Sequence, residues 1–136
     1  MMQFYLLSIL CNLVGGYALY SAKKPDTGNS WDGVRAFLRE ETFRLVVGLL
    51  GCVVGCFKLL TVTDGDIPVI GDFAAAIVGI VVGFTLVFEF YRNHSTVESK
   101  KADRIDRLLL ANSHAVGVAG MAASVVHFLF PRVLFL

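Results

Sequence analysis

The chain has 136 residues, 56% of them hydrophobic and only 17% charged, with a mean hydropathy of +0.69 and a formal net charge of +1. That charged share is too small to cover the surface of a soluble domain. It also excludes a disordered chain, a disulfide-stapled secreted miniprotein and a nucleic-acid binder held by a basic face.

A bilayer core near 30 Å calls for roughly 20 mainly apolar residues per helix. Four such stretches occur: about residues 2–20, 43–62, 68–91 and 108–130. They are continuous apolar runs rather than alternating strands, so their backbone polar groups are satisfied as helices. The expected fold is all-α, a single transmembrane domain over residues 1–136 formed as an integral membrane four-helix bundle. Of the twelve Lys and Arg residues, Lys23, Lys24, Arg35, Arg39 and Arg44 flank or join the first two spans. Arg92, Lys100, Lys101, Arg104 and Arg107 join the last two, and the turn at 63–71 has none. Loops rich in Lys and Arg stay cytoplasmic, so both termini are expected outside, in the plasma (inner) membrane.

The first span lacks a positive n-region, and Tyr20-Ser21-Ala22 is a poor cleavage site, so it reads as a retained helix rather than a signal peptide. Lys24-Pro25-Asp26-Thr27-Gly28-Asn29 is turn chemistry. Ser30 is then expected to cap an amphipathic segment over 30–42, with Trp31, Val34, Leu38 and Leu45 near one face. This segment either rests on headgroups or docks a partner.

In the second span Gly48, Gly51 and Gly55 fall on one face, with Arg44 before the stripe and Lys58 at its end. Small residues of this kind let helices approach closely in lipid. Cys52 and Cys56, with Cys11, are soft ligands in principle, but at this spacing they read as small packing residues. The acidic turn Asp64, Asp66 and Asp72 offers oxygen ligands without the spacing of a calcium loop. Asp66 and Asp72 are better explained as acids at a helix N-terminus.

The third span carries Gly79 and Gly83, with Val78, Val82, Thr85 and Glu89 on one face. Beyond it, Ser95 and Glu98 fit a capping box that would open a solvated helical extension over 96–107, supported by an Asp103–Arg107 pair. The fourth span repeats the stripe of the second as Gly117, Gly120 and Ser124, with Ser113 before and His127 after, in the same spacing. Residues 13–19 align in a similar way with 80–86, at an offset shorter by two. The chain therefore reads either as two tandem copies of one helical hairpin or as two glycine-rich hairpins that match by chance.

Ionisable groups inside spans are functional candidates. Asn12, Thr85, Glu89, Asn112 and His114 are the candidates for a transport pathway, with a Glu89–His114 pair below Asn12 as its relay. The competing reading satisfies Glu89 through Arg44 or Arg92 at the membrane surface. Lys58, Asp72 and His127 form a second polar cluster near the outer side. The spacing and facing of His114 and His127 exclude haem between them, and no catalytic motif, cofactor or metal site is expected. The expected function is an oligomeric transporter or channel module for a small solute or ion, its partners being the lipid bilayer and either its own copies or another membrane protein. The alternative is a non-catalytic accessory or scaffolding subunit; nucleic acid is excluded as a partner.

Overall fold

The structure, a computed structural model, describes residues 2–60 and 73–130. Every regular element in them is helical: α1 (Met2–Ser21), α2 (Asp32–Leu38), α3 (Glu41–Leu60), α4 (Phe73–His94), α5 (Lys100–Ile105) and α6 (Ser113–Leu129), with a π-helical turn over Asp106–Leu110. The acidic turn at 61–72, Asp72 included, lies outside the described residues.

The chain leaves α1 through a turn in which Lys24 N–H donates to the Ser21 carbonyl at 3.1 Å. Gly28 then takes φ 73°, a left-handed conformation that a side chain would disfavour. Ser30 does not cap α2. Asp32 holds the turn instead, accepting the N–H groups of Asn29 at 3.0 Å and Thr27 at 3.4 Å while Arg35 pairs with it at 3.3 Å. A carboxylate with two oxygens can gather the turn's donors and an adjacent cation together. The expected single apolar face of this segment is also divided. Leu38 is buried in the core with Ala18, Leu19, Val82 and Leu86, whereas Trp31, Val34 and Phe37 are exposed.

Two further expectations are corrected beyond α4. Residues 96–99 are not helical, and α5 starts after Ser99, whose extended φ and ψ suit an N-cap position. Ser95 accepts the Val97 N–H at 3.2 Å, a local turn that competes with the capping box. Asp103 faces Arg92 rather than Arg107, at 3.4 Å, and Asp106 joins the same guanidinium at 2.6 Å. The fourth span is not one helix over 108–130: the Lys100–Leu110 segment meets Ser113–Leu129 at a 53° bend. The side-chain amide of Asn112 donates to the Leu108 carbonyl at 3.0 Å, the acceptor that a straight helix would reserve for the Asn112 N–H.

The most extensive packing joins α3 to α4 and α1 to α6, while α1 also lies against α3 and α4, and α4 against α6. Three helices, spanning Gln3–Ser21, Glu41–Leu60 and Phe73–His94, are long and apolar enough to cross a membrane, and the bent pair makes a fourth if it counts as one span. Their outward faces are apolar: on α3 alone, Val46, Leu49, Leu50, Val53, Phe57 and Leu60 are exposed. Patches of this extent suit lipid rather than water.

Inward faces repeat. The buried positions of α3 include Arg44, Gly48, Gly51, Gly55 and Lys58, and those of α6 are Ser113, Gly117, Gly120, Ser124 and His127, in the same order and spacing. On α1 the buried positions are Ser8, Ile9, Cys11, Asn12, Gly15, Gly16, Ala18, Leu19 and Ser21. The alignment of 13–19 with 80–86, extended along both helices, carries each of these onto a buried position of α4 except Cys11, which falls on the half-buried Val78.

Candidate functional site

Glycine sets how closely the helices approach. A methyl group at Gly83 would stand 2.6 Å from the Gly48 carbonyl oxygen and 2.8 Å from the Cys52 nitrogen. One at Gly16 would stand 2.7 Å from the Gly117 oxygen and 2.9 Å from the Met121 nitrogen. These are the same two contacts at matching positions of the two hairpins, and backbone fills the space that a side chain would need. Gly55 abuts the Ala76 carbonyl in the same way, at 2.9 Å for an added methyl. At the matching place the Ser124 hydroxyl lies within hydrogen-bonding distance of the Ile9 carbonyl at 3.2 Å and of the Gly120 carbonyl at 2.9 Å. Gly51 is looser, with the Gly79 oxygen 3.4 Å from an added methyl.

The five pathway candidates do not converge. Asn12 is buried and its side-chain amide donates to the Ala75 carbonyl at 3.1 Å, with its Oδ1 over the bare Cα of Gly79. Thr85, also buried, donates to the Val81 carbonyl of its own helix at 2.7 Å. Glu89 does not meet His114. It takes both terminal nitrogens of Arg44, at 3.0 and 2.7 Å, a bidentate pair that satisfies the carboxylate across α3 and α4. His114 is exposed on the outer face of α6 and packs its ring on Tyr20 at 4.7 Å. Asn112 is exposed at the bend. A shallow cleft beside the ion pair is lined by Glu41, Arg44, Leu86, Glu89, Phe90 and Asn93.

Of the second expected cluster, Lys58 and His127 lie together, and Asp72 falls outside the described residues. Lys58 Nζ lies 3.0 Å from His127 Nε2, both residues buried. An ammonium at Lys58 would donate to Nε2, which places the imidazole proton on Nδ1. Tyr5 encloses the pair: its hydroxyl donates to the His127 carbonyl at 2.6 Å and its ring lies 4.7 Å from the imidazole. Lys58 Nζ stands 5.3 Å from the centre of the Tyr5 ring. Rather than extending from the end of α3 toward an interface, Lys58 turns across the packed helices. Tyr5 was not among the sequence candidates; its only signal was an aromatic residue in the first turns of an apolar helix. Lys58 and His127 end the two matching stripes, so equivalent positions of the two hairpins meet each other here, as Asn12 meets Gly79.

Cys11 is buried, Cys56 is exposed on α3, and Cys52 donates to the Ile80 carbonyl at 3.8 Å. No three His, Cys, Asp or Glu side chains converge among the described residues. The two polar pairs stand at opposite ends of α3, fourteen residues or about 21 Å apart. Arg44 and Glu89 lie at the end carrying the basic connections, and Lys58 and His127 lie at the other.

A protein-family model matches residues 1–127 of the chain. An uncharacterized protein of Treponema pallidum (strain Nichols) is 30% identical over 136 residues, with 100% of each chain covered. No solved structure matches. The chain belongs to the same family as the Treponema protein.

Proposed function

We propose that this chain crosses the plasma membrane four times, as a four-helix bundle of two tandem hairpins related by an axis along the membrane normal. The basic connections face the cytoplasm and both termini face outward. Within that frame it acts as a non-catalytic accessory or scaffolding subunit whose outer helix faces bind other membrane proteins. The observation that carries this reading is the closure of the interior. Backbones meet through Gly16, Gly48, Gly83 and Gly117, and Asn12, Thr85 and Glu89 are each engaged by a separate nearby partner. A helix pair without room for side chains offers no aqueous route between its members, whereas apolar faces in lipid remain available for association. Purification in mild detergent is the test. A stoichiometric membrane-protein partner is expected; recovery of the chain alone or only with its own copies overturns the reading.

A transport reading is favoured by one observation, the buried Lys58–His127 pair. Repeat-built transporters bind substrate and coupling ions where their repeats meet, and this pair sits at matching positions of the two hairpins. On this reading the protein in liposomes passes protons or a small ion, and Lys58→Met lowers the flux. Flux no greater than that of empty liposomes removes it.

A further inference from the structure

The Lys100–Leu110 segment pairs its acids and leaves its cations exposed. Asp103 and Asp106 pair with Arg92 of α4, at 3.4 and 2.6 Å. Lys100, Lys101, Arg104 and Arg107 are all exposed, and none of them is in an ion pair among the described residues. At about 100° per residue, Lys100 and Arg104 lie close together on α5, with Lys101 to one side of them and Asp103 to the other, and Arg107 follows in the π-helical turn. Leu108, 68% exposed, adjoins Arg107 at the end nearest α6.

A 53° bend sets this segment off the axis of α6. A straight continuation of α6 would carry eleven residues about 16 Å into water. The bend instead tilts the segment toward the membrane plane, and Arg92 pins it to α4 by its acids. We infer that the exposed basic cluster of Lys100–Leu110 is a docking surface for the headgroups of anionic phospholipids, with Leu108 reaching the acyl boundary. A cluster of four cations directly beside a membrane span complements the negative potential of a cytoplasmic leaflet, each cation favouring it by roughly fivefold near the surface. This inference rests on the four-span reading with the basic loops inside.

The test uses the full chain carrying Leu108→Trp and Trp31→Phe, reconstituted in mixed phosphatidylcholine and phosphatidylglycerol vesicles in which one lipid or the other is brominated. Quenching of the single tryptophan reports the relative binding of the two lipids at the segment. The expected preference for phosphatidylglycerol is about fivefold or more. It should fall to near unity when Lys100, Lys101, Arg104 and Arg107 are all changed to Gln. It should also fall in the unaltered basic segment at about 1 M salt, where screening acts within about 3 Å. Equal quenching by both lipids overturns the headgroup inference while leaving the four-span reading standing. So does a preference that survives both the Gln changes and salt, as it would if an acidic protein segment were the natural occupant. Quenching by neither lipid also overturns the inference, since position 108 then does not reach the bilayer, and it too leaves the four-span reading standing.

Discussion

The α3–α4 and α1–α6 pairs approach equally closely at their glycines, with different chemistry at their ends. Both are held apart only by glycine, through Gly48 and Gly83 in one and Gly117 and Gly16 in the other. At the end with the basic connections, α3–α4 is closed by the Arg44–Glu89 ion pair. The matching positions on α6 and just past α1 are Ser113 and Ala22, and there the nearest polar link is Lys23 donating to the Leu110 carbonyl at 3.3 Å. Toward the other end the asymmetry reverses, with a hydroxyl at Ser124 where α3 has Gly55. Packing geometry is therefore the shared property of the two helix pairs, and polar chemistry is added to one or the other. Within this fold, the apolar helices gain specificity from close approach first and from hydrogen bonds second.

The largest effects should come from the glycines themselves. Gly83→Ala and Gly16→Ala each place a methyl below 3.0 Å from backbone that cannot move without separating the helices. Each should cost about 2–3 kcal/mol in denaturation by SDS from mild detergent, and the two costs should agree. Gly51→Ala meets only ordinary contact at 3.4 Å and should lie within about 0.5 kcal/mol of the parent. Unequal costs at positions 16 and 83 would show that the two pairs do not bear load alike, whatever their geometry.

Removal of one ion-pair partner comes next. Arg44→Met leaves the Glu89 carboxylate, whose side chain is only 26% exposed, without its bidentate partner. A fully buried pair broken in this way loses about 3–5 kcal/mol; with Glu89 partly open to solvent, about 1–3 kcal/mol is expected. Arg44→Met with Glu89→Leu should restore most of that loss. Ser113→Ala, at the matching place, should change stability by less than about 0.5 kcal/mol. If the double substitution is as unstable as Arg44→Met alone, the guanidinium acts through contacts other than Glu89.

Much of this arrangement was legible in the sequence wherever one helix carries the whole signal. The Gly48-Gly51-Gly55 and Gly117-Gly120-Ser124 stripes, flanked by Arg44 and Lys58 or by Ser113 and His127, mark the inward face of α6 residue for residue and that of α3 but for Val54. Pairings across helices were harder. Glu89 had Arg44, Arg92 and His114 within plausible reach, and helix rotation, which spacing along one helix does not fix, turned Arg44 inward and His114 out. The bend before α6 was hidden because Leu108–Leu110 continue the apolar run. Only Asn112, a residue that bonds back to its own helix, hinted that hydropathy and straightness part company there.

The smallest expected effect sharpens the comparison furthest. Ser124→Gly converts the α6 stripe to the three-glycine form found in α3, removing a hydroxyl placed within hydrogen-bonding distance of the Ile9 and Gly120 carbonyls. Interhelical hydrogen bonds in membranes average about 0.6 kcal/mol, because the separated helices also find partners for the same groups. Glycine adds up to about 1 kcal/mol of backbone entropy, so Ser124→Ala is needed alongside it. The alanine should cost about 0.6 kcal/mol through the hydroxyl alone, measured by SDS denaturation, and the difference between the two variants isolates the backbone contribution. A Ser124→Ala cost above about 2 kcal/mol would exceed what one such bond contributes in a membrane. The hydroxyl, rather than glycine contact, would then hold α6 against α1, and the two pairs would owe their similar spacing to different forces.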